Sequence, residues 1–176
     1  MRRGRGALVV VVLAAAVVVG GCGGSRRIDT TTSGTTTQQT EPVQLTASDL
    51  RAAAREAVQR NYALSLYTLW HNKLPPWAPQ STRGPALAGL RSSIQGRQKR
   101  GVRIRVLDRK LKIVSLKLDP SYTHATATIQ SRQHVRPFRG KRPLGAAVKL
   151  DERARLQLRR VDTSRRFVVW KVQLLK

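Results

Sequence analysis

The apolar positions of this 176-residue chain fall into three regimes. Residues 7–19 are an unbroken run of Ala, Leu and Val. Residues 23–44 are mostly Gly, Ser, Thr and Gln, with threonine runs at 30–32 and 35–37. From Leu45 onward the apolar residues become periodic. Ala54, Val58, Tyr62, Leu66 and Leu69 recur at helical spacing and predict an amphipathic helix to about Trp70. Thr46 and Asp49 stand as the two arms of a capping box at its start. The prolines at 75, 76 and 79 stop the helix, because each lacks a donor and restricts its predecessor. A second, shorter helix follows. Pro85 suits its first turn, Leu87, Leu90 and Ile94 mark its buried side, and Gly96 suits its end.

After Gly101 the period becomes two. Val102, Ile104 and Val106 alternate with Arg103 and Arg105. Parity shifts through Leu111 and Ile113, and again at Val114, Leu116 and Leu118. Such shifts predict a bulge, or two strands turning near Asp108 and Arg109. Ala125, Ala127 and Ile129 share one side of the next strand, and residues 137–145 read as a basic loop. Ala154, Leu156 and Leu158 alternate with Arg153, Arg155 and Arg159. Val168, Trp170, Val172 and Leu174 mark the last strand. Helices first and an antiparallel meander afterwards make an α+β domain. Element order and the closing phrase Arg166-Phe-Val-Val-Trp170-Lys-Val172 resemble the nuclear transport factor 2-like, cystatin-like superfamily. The resemblance implies N-terminal helices packed into a bent antiparallel sheet, a cystatin-like cone, over residues 45–176. Only two helices are resolved by the pattern, so the cone reads as incomplete.

The apolar run at 7–19 has thirteen residues, whereas a membrane span takes roughly 20. Arg2, Arg3 and Arg5 precede it, and Gly20, Gly21 and Cys22 follow. A charged start, a short apolar stretch and small residues at the cut make a secretory signal over residues 1–21. Val19-Gly20-Gly21-Cys22 resembles the bacterial lipobox. The resemblance implies cleavage after Gly21, a diacylglycerol thioether on Cys22 and an anchor on the outer face of the plasma membrane. Cys22 is the chain's 1 cysteine, so no internal disulfide competes for it. Residues 22–44 then form the lipidated cysteine and a flexible Thr-rich tether, whose coil spans roughly 25 Å.

Charge changes the picture of partners. The chain has 34 basic and 9 acidic residues, and only Arg2, Arg3 and Arg5 belong to the leader. Such an excess is habitually read as nucleic-acid binding. An address outside the membrane argues against that and favours anionic lipid headgroups, acidic wall polymers or an envelope protein partner. Arg153, Arg155 and Arg159 share one strand side, and Arg132, Arg136, Arg139, Lys141 and Arg142 follow the preceding strand and loop. A guanidinium's planar fork suits phosphate and carboxylate. These eight are the candidate anion-binding residues.

Catalytic chemistry has little to stand on. His71, His124 and His134 are too scattered for metal ligation, and no cofactor is expected. His71 falls where the first helix ends and is expected to meet its terminal carbonyls. Asp151 and Glu152 are adjacent, so a strand turns them to opposite sides. Tyr67, Trp70, His71 and Trp77 are the candidate rim of a pocket between helices and sheet. The main expectation is a non-enzymatic interaction module. The alternative is a small-molecule binder or enzyme using that cavity.

Overall fold

The structure, a computed structural model, describes residues 45–175. The expected signal peptide, the tether, Gly21 and Cys22 lie outside the described residues. The first helix, α1 (Ala47–His71), starts at the expected capping box. The Asp49 N–H donates to Thr46 Oγ1 and the Thr46 N–H donates to Asp49 Oδ2, each at 3.1 Å. The Thr46 hydroxyl, which donates to Asp49 Oδ2 at 2.8 Å, then the Thr46 N–H and the nearby Arg165 guanidinium, hold the Asp49 carboxyl below its ordinary pKa. The core side of α1 is Leu50, Ala54, Ala57, Val58, Asn61, Leu64 and Thr68. Tyr62 and Leu69, expected on that side, are half-buried. The pattern misled because two core positions are polar. Asn61 is satisfied by donating to Thr82 Oγ1 at 2.6 Å, and Thr68 by donating to the Ser65 carbonyl at 2.8 Å.

The proline segment is not all loop. It holds one helical turn, α2 (Ala78–Ser81), with Pro79 in it, so the layer has a third helical piece. The next helix, α3 (Gly84–Lys99), runs past Gly96, and Gly101 beyond it takes φ +62°. Its buried residues are Ala86, Ile94 and Arg97; Leu87 and Leu90 are half-buried. Gly84 is required where it stands. It has φ +56°, and a Cβ there would sit 2.8 Å from the Trp170 ring.

Five antiparallel strands follow: β1 (Val102–Leu118), β2 (His124–Arg139), β3 (Arg142–Pro143), β4 (Val148–Arg160) and β5 (Phe167–Leu175). The sheet order is β1-β2-β4-β5, with β3 paired to β2. β1 is one strand, and its parity shifts are register shifts at Leu107 and Val114. Bulges bend a strand and let it change sides without a break. The expected basic loop at 137–145 is a hairpin instead: β2 continues through Pro137 to Arg139 and turns at Gly140 into β3. Proline fits there because β2–β4 pairing has already stopped at Val135 and Val148. A third register shift skips Trp170, so Val172 and Leu174 face the same side as Leu156 and Ala154.

That side meets the helices. Leu50, Ala54, Ala57 and Val58 of α1 pack against Ala125, Ala127, Ile129, Ala154, Leu156, Leu158, Phe167 and Val169. Three small alanines on the central strands let the helix approach closely, and Phe167 is the largest fully buried side chain, at 0 % exposure. The domain is the α+β cone the element order implies. Toward one end the helices leave the sheet uncovered, and Val148, Leu150, Val172 and Leu174 are exposed. No helix among the described residues is long and apolar enough to cross a membrane.

Candidate functional site

The aromatic residues expected to rim a pocket pack on one another and on the sheet. Tyr67 stacks on His71 with ring centroids 4.1 Å apart, and meets Trp77 edge-on at 6.3 Å. Trp70 stands edge-on to Phe138 at 6.0 Å. Only Trp77 of the four lines the open depression of about 280 Å³ beside α1, together with Arg60, Ala63, Gln80, Ser81 and Arg166. His71 is exposed and does not serve the helix terminus. The Thr68 carbonyl accepts from the Asn72 N–H at 3.1 Å and from Arg97 Nη2 at 2.8 Å. Arg97 Nε also donates to Asn72 Oδ1 at 2.9 Å, and Asn72 Nδ2 to the Val102 carbonyl at 2.7 Å. A buried arginine from α3 thus ties α1 to the start of β1. Nothing local in the sequence announces it.

Within the cone, the Tyr62 hydroxyl is buried without a hydrogen bond, and burial raises its pKa. Arg109, Gln133 and Glu152 surround it. A phenol raised this way stays protonated at neutral pH and is no general base. No group of three or more His, Cys, Asp or Glu residues that could hold a metal occurs among the described residues.

The outer side of the sheet differs. Side chains alternate along each strand, so the residues between the core positions of β2 and β4 face away from the helices. On β4 these include Lys149, Asp151, Arg153, Arg155 and Arg159; on β2 they include Gln130, Arg132, His134 and Arg136. Antiparallel pairing sets Arg153 opposite Gln130, Arg155 opposite Thr128 and Arg159 opposite His124. β1 adds cations that the candidate set lacked. Lys110 pairs with Arg132, Lys112 with Gln130, Lys117 with Thr126, and Arg105 with Arg136. Lys171 on β5 faces the same way. The alternating arginines of β1 were visible in the sequence, but its pairing with β2 was not.

Five of the eight expected residues, Arg132, Arg136, Arg153, Arg155 and Arg159, therefore share the outer face. Arg139, Lys141 and Arg142 lie apart at the β2–β3 hairpin, beyond the end of β2–β4 pairing. Not all the face is equally available. Arg132 Nε donates to Asp151 Oδ2 at 2.9 Å, and Gln130 Nε2 donates to Asp151 Oδ1 at 3.1 Å. The Arg159 guanidinium lies over the Trp170 ring, 4.0 Å from its centroid. That contact leaves the edge N–H groups of the fork pointing outward. Arg153 and Arg155 have no acidic partner among the described residues.

At the end of the face near His124, one carboxylate is locked in a turn. Asp119 accepts from the Ser121 hydroxyl at 2.6 Å, from the His124 N–H at 2.9 Å and from the Thr123 hydroxyl at 3.2 Å. The Ser121 bond is foremost in lowering its pKa to about 2. The turn holds this negative charge at the end of the face, 3.6 Å from His124 Nδ1.

No protein-family model matches the chain, and no curated protein matches it. Among solved structures it is similar to the crystal structure of the intermembrane space region of chloroplast protein ARC6, at TM-score 0.60 and 12% identity, over 71% of this chain and 95% of that one. At that identity the likeness is one of fold alone: helices on a curved antiparallel sheet.

Proposed function

We propose that this protein is a non-enzymatic docking module of the cell envelope. It is held at the outer face of the plasma membrane by lipid on Cys22, and it applies the outer side of its sheet to anionic headgroups or wall polymers. The observation that carries this reading is the joining of Arg153, Arg155 and Arg159 with the β1 lysines on one face. Cations on three adjacent strands, with few acids among them, attract a polyanion more strongly than scattered charges do. Each basic residue close to an anionic membrane contributes about 1 kcal/mol, within a Debye length of the surface. The leader pattern supports the address. An intermembrane-space region has a similar fold, which fits a domain exposed in an envelope space. The cavity alternative has less support, because alanines, leucines and Phe167 fill the space between α1 and the sheet.

Two measurements test the reading. Fatty-acid labelling of the expressed full chain is expected to disappear in Cys22→Ala, and label retained there refutes the anchor. The chain is also expected to be retained on anionic vesicles at low salt, released as salt rises, and not retained on neutral ones. Equal retention on both sinks the docking face.

A further inference from the structure

The outer face is not uniformly charged. Its central strand carries an uncharged lane, and the cations stand on either side of it. Along β2 the outward residues Thr126, Thr128 and Gln130 are neutral and polar. β1 flanks them with Lys112 and Lys117, and β4 with Arg153 and Arg155. The two flanking strands lie two strand spacings apart, about 10 Å. From His124 to Gln130 the lane is about 20 Å long. Thr128 and Gln130 are half-buried beneath the longer side chains, so the floor is recessed. The two nearby acids, Asp119 and Asp151, sit at the ends of the lane and are already hydrogen-bonded there.

Resting on the docking-face reading above, we propose that this lane seats a single extended phosphodiester polymer without aromatic bases, lying along β2. The width fits one chain, not a bilayer plane, which would touch only the tips of the flanking cations. A phosphodiester projects its two anionic oxygens to opposite sides of its backbone, so at the Gln130 level one meets Lys112 and the other Arg153. A uronic-acid carboxylate hangs on one side of its ring and meets one rail. The threonine hydroxyls offer hydrogen bonds to ester oxygens and to the hydroxyls of a polyol. They have no aromatic face, whereas sequence-tolerant binders of single-stranded nucleic acid stack bases on aromatic side chains. Along a strand, outward side chains repeat about every 7 Å. Lys112 and Arg153 flank Gln130, Ser115 and Arg155 flank Thr128, and Lys117 and Gln157 flank Thr126, so each successive charge of the polymer meets a cation on at least one side.

The test fills the lane without changing its charge. Thr126→Tyr and Thr128→Tyr place a residue of high strand propensity on an outward position, and circular dichroism and melting verify that both variants fold. Binding of the full chain is measured to poly(glycerol phosphate), to a polyuronate of matched charge, to oligodeoxythymidylate of matched length, and to phosphatidylglycerol vesicles. The wild type is expected to prefer poly(glycerol phosphate). Each tyrosine variant is expected to lose about tenfold or more in polymer affinity while keeping vesicle retention. Lys112→Gln with Lys117→Gln, and Arg153→Gln with Arg155→Gln, should each weaken the polymer by a similar factor. Tyrosine variants that bind polymer as the wild type does overturn the lane. Equal affinity for the polyuronate, or weakening from one side only, overturns two-sided phosphate recognition. Tighter binding of oligodeoxythymidylate overturns the base-free ligand. Vesicle retention without polymer binding removes the lane alone, and binding to neither removes the docking face as well.

Discussion

The two sides of the sheet are made by the same strands and do opposite things. On the helix side, Ala125, Ala127, Ala154, Leu156 and Leu158 are nearly inaccessible and lie against α1. On the outer side, the residues between them are Thr126, Thr128, Arg153, Arg155 and Gln157. One side is closed by small and branched apolar groups that exclude a ligand. The other is open and lined by long cationic side chains that cannot be buried unpaired. A cone fold directs attention to the space between helices and sheet, but here alanines, leucines and Phe167 fill that space and the unpaired strand cations stand outside it.

The contrast also explains the spacing of the charges. Like charges directly opposite each other on neighbouring strands are destabilising. An uncharged stretch of β2 keeps most of the β1 and β4 cations about 10 Å apart, near a Debye length at 0.1 M salt. The exceptions are instructive. Arg132 faces Lys110 across one strand spacing, and there Asp151 supplies the opposite charge. Arg136 faces Arg105, and its Nε is buried without a partner.

Perturbing the helix side should have the largest effect. Phe167→Ala removes the largest fully buried side chain and is expected to cost about 3–5 kcal/mol in denaturant unfolding. Affinity of the remaining folded fraction for anionic vesicles should be unchanged. A parallel loss of affinity would show that the two sides are not independent. Arg97→Met keeps volume but strips the α1 terminus of its donor. It is expected to cost about 2 kcal/mol, and amide exchange should speed at the last turn of α1 and the start of β1. Uniform exchange across the domain would refute a local tie.

Acid should also act on the outer side's turn. The Asp119 pKa is lowered to about 2, below its unfolded value of about 3.9. A depressed folded pKa means stability that is fully present above the unfolded value and is lost as pH falls through the folded one. Asp119→Asn is therefore expected to flatten the stability–pH curve between about pH 4 and pH 2. An unchanged curve would remove the turn as the acid-sensitive element. Least of all should Arg153→Gln with Arg155→Gln disturb folding, within about 0.5 kcal/mol. The same pair should reduce the salt dependence of polyanion binding, by about 0.7 in logarithmic slope for each phosphate of a single chain no longer neutralised. A large stability change with no change in slope would invert the comparison between the two sides.

Some of this was legible from the residues alone, for a consistent reason. Thr46 and Asp49 announced the start of α1, because a capping box is closed by groups three residues apart. The parity shifts announced an irregularity, a bulge or a turn between two strands, because strand alternation is itself local; pairing with β2 makes them two register shifts in one strand. Arg153, Arg155 and Arg159 were rightly placed on one side for the same reason. What failed were statements about distant partners. The α1 terminus was assigned to His71 by proximity, whereas Arg97 reaches it from another helix. Pro137 read as loop because the sequence does not say where β4 stops pairing. Asn61 and Thr68 carry no apolar signal, and they sit in the core because Thr82 and the helix backbone satisfy them.

The elements, their alternation and the excess of cations are thus written along the chain, since each follows from neighbours within a few residues. Which cations stand together came from the fold. Pairing between strands separated by long stretches of chain set the β1 lysines and the β4 arginines on opposite sides of the β2 threonines. That register is fixed by burying alanines and leucines on the far side of the sheet, where a slip of one residue would turn the core outward.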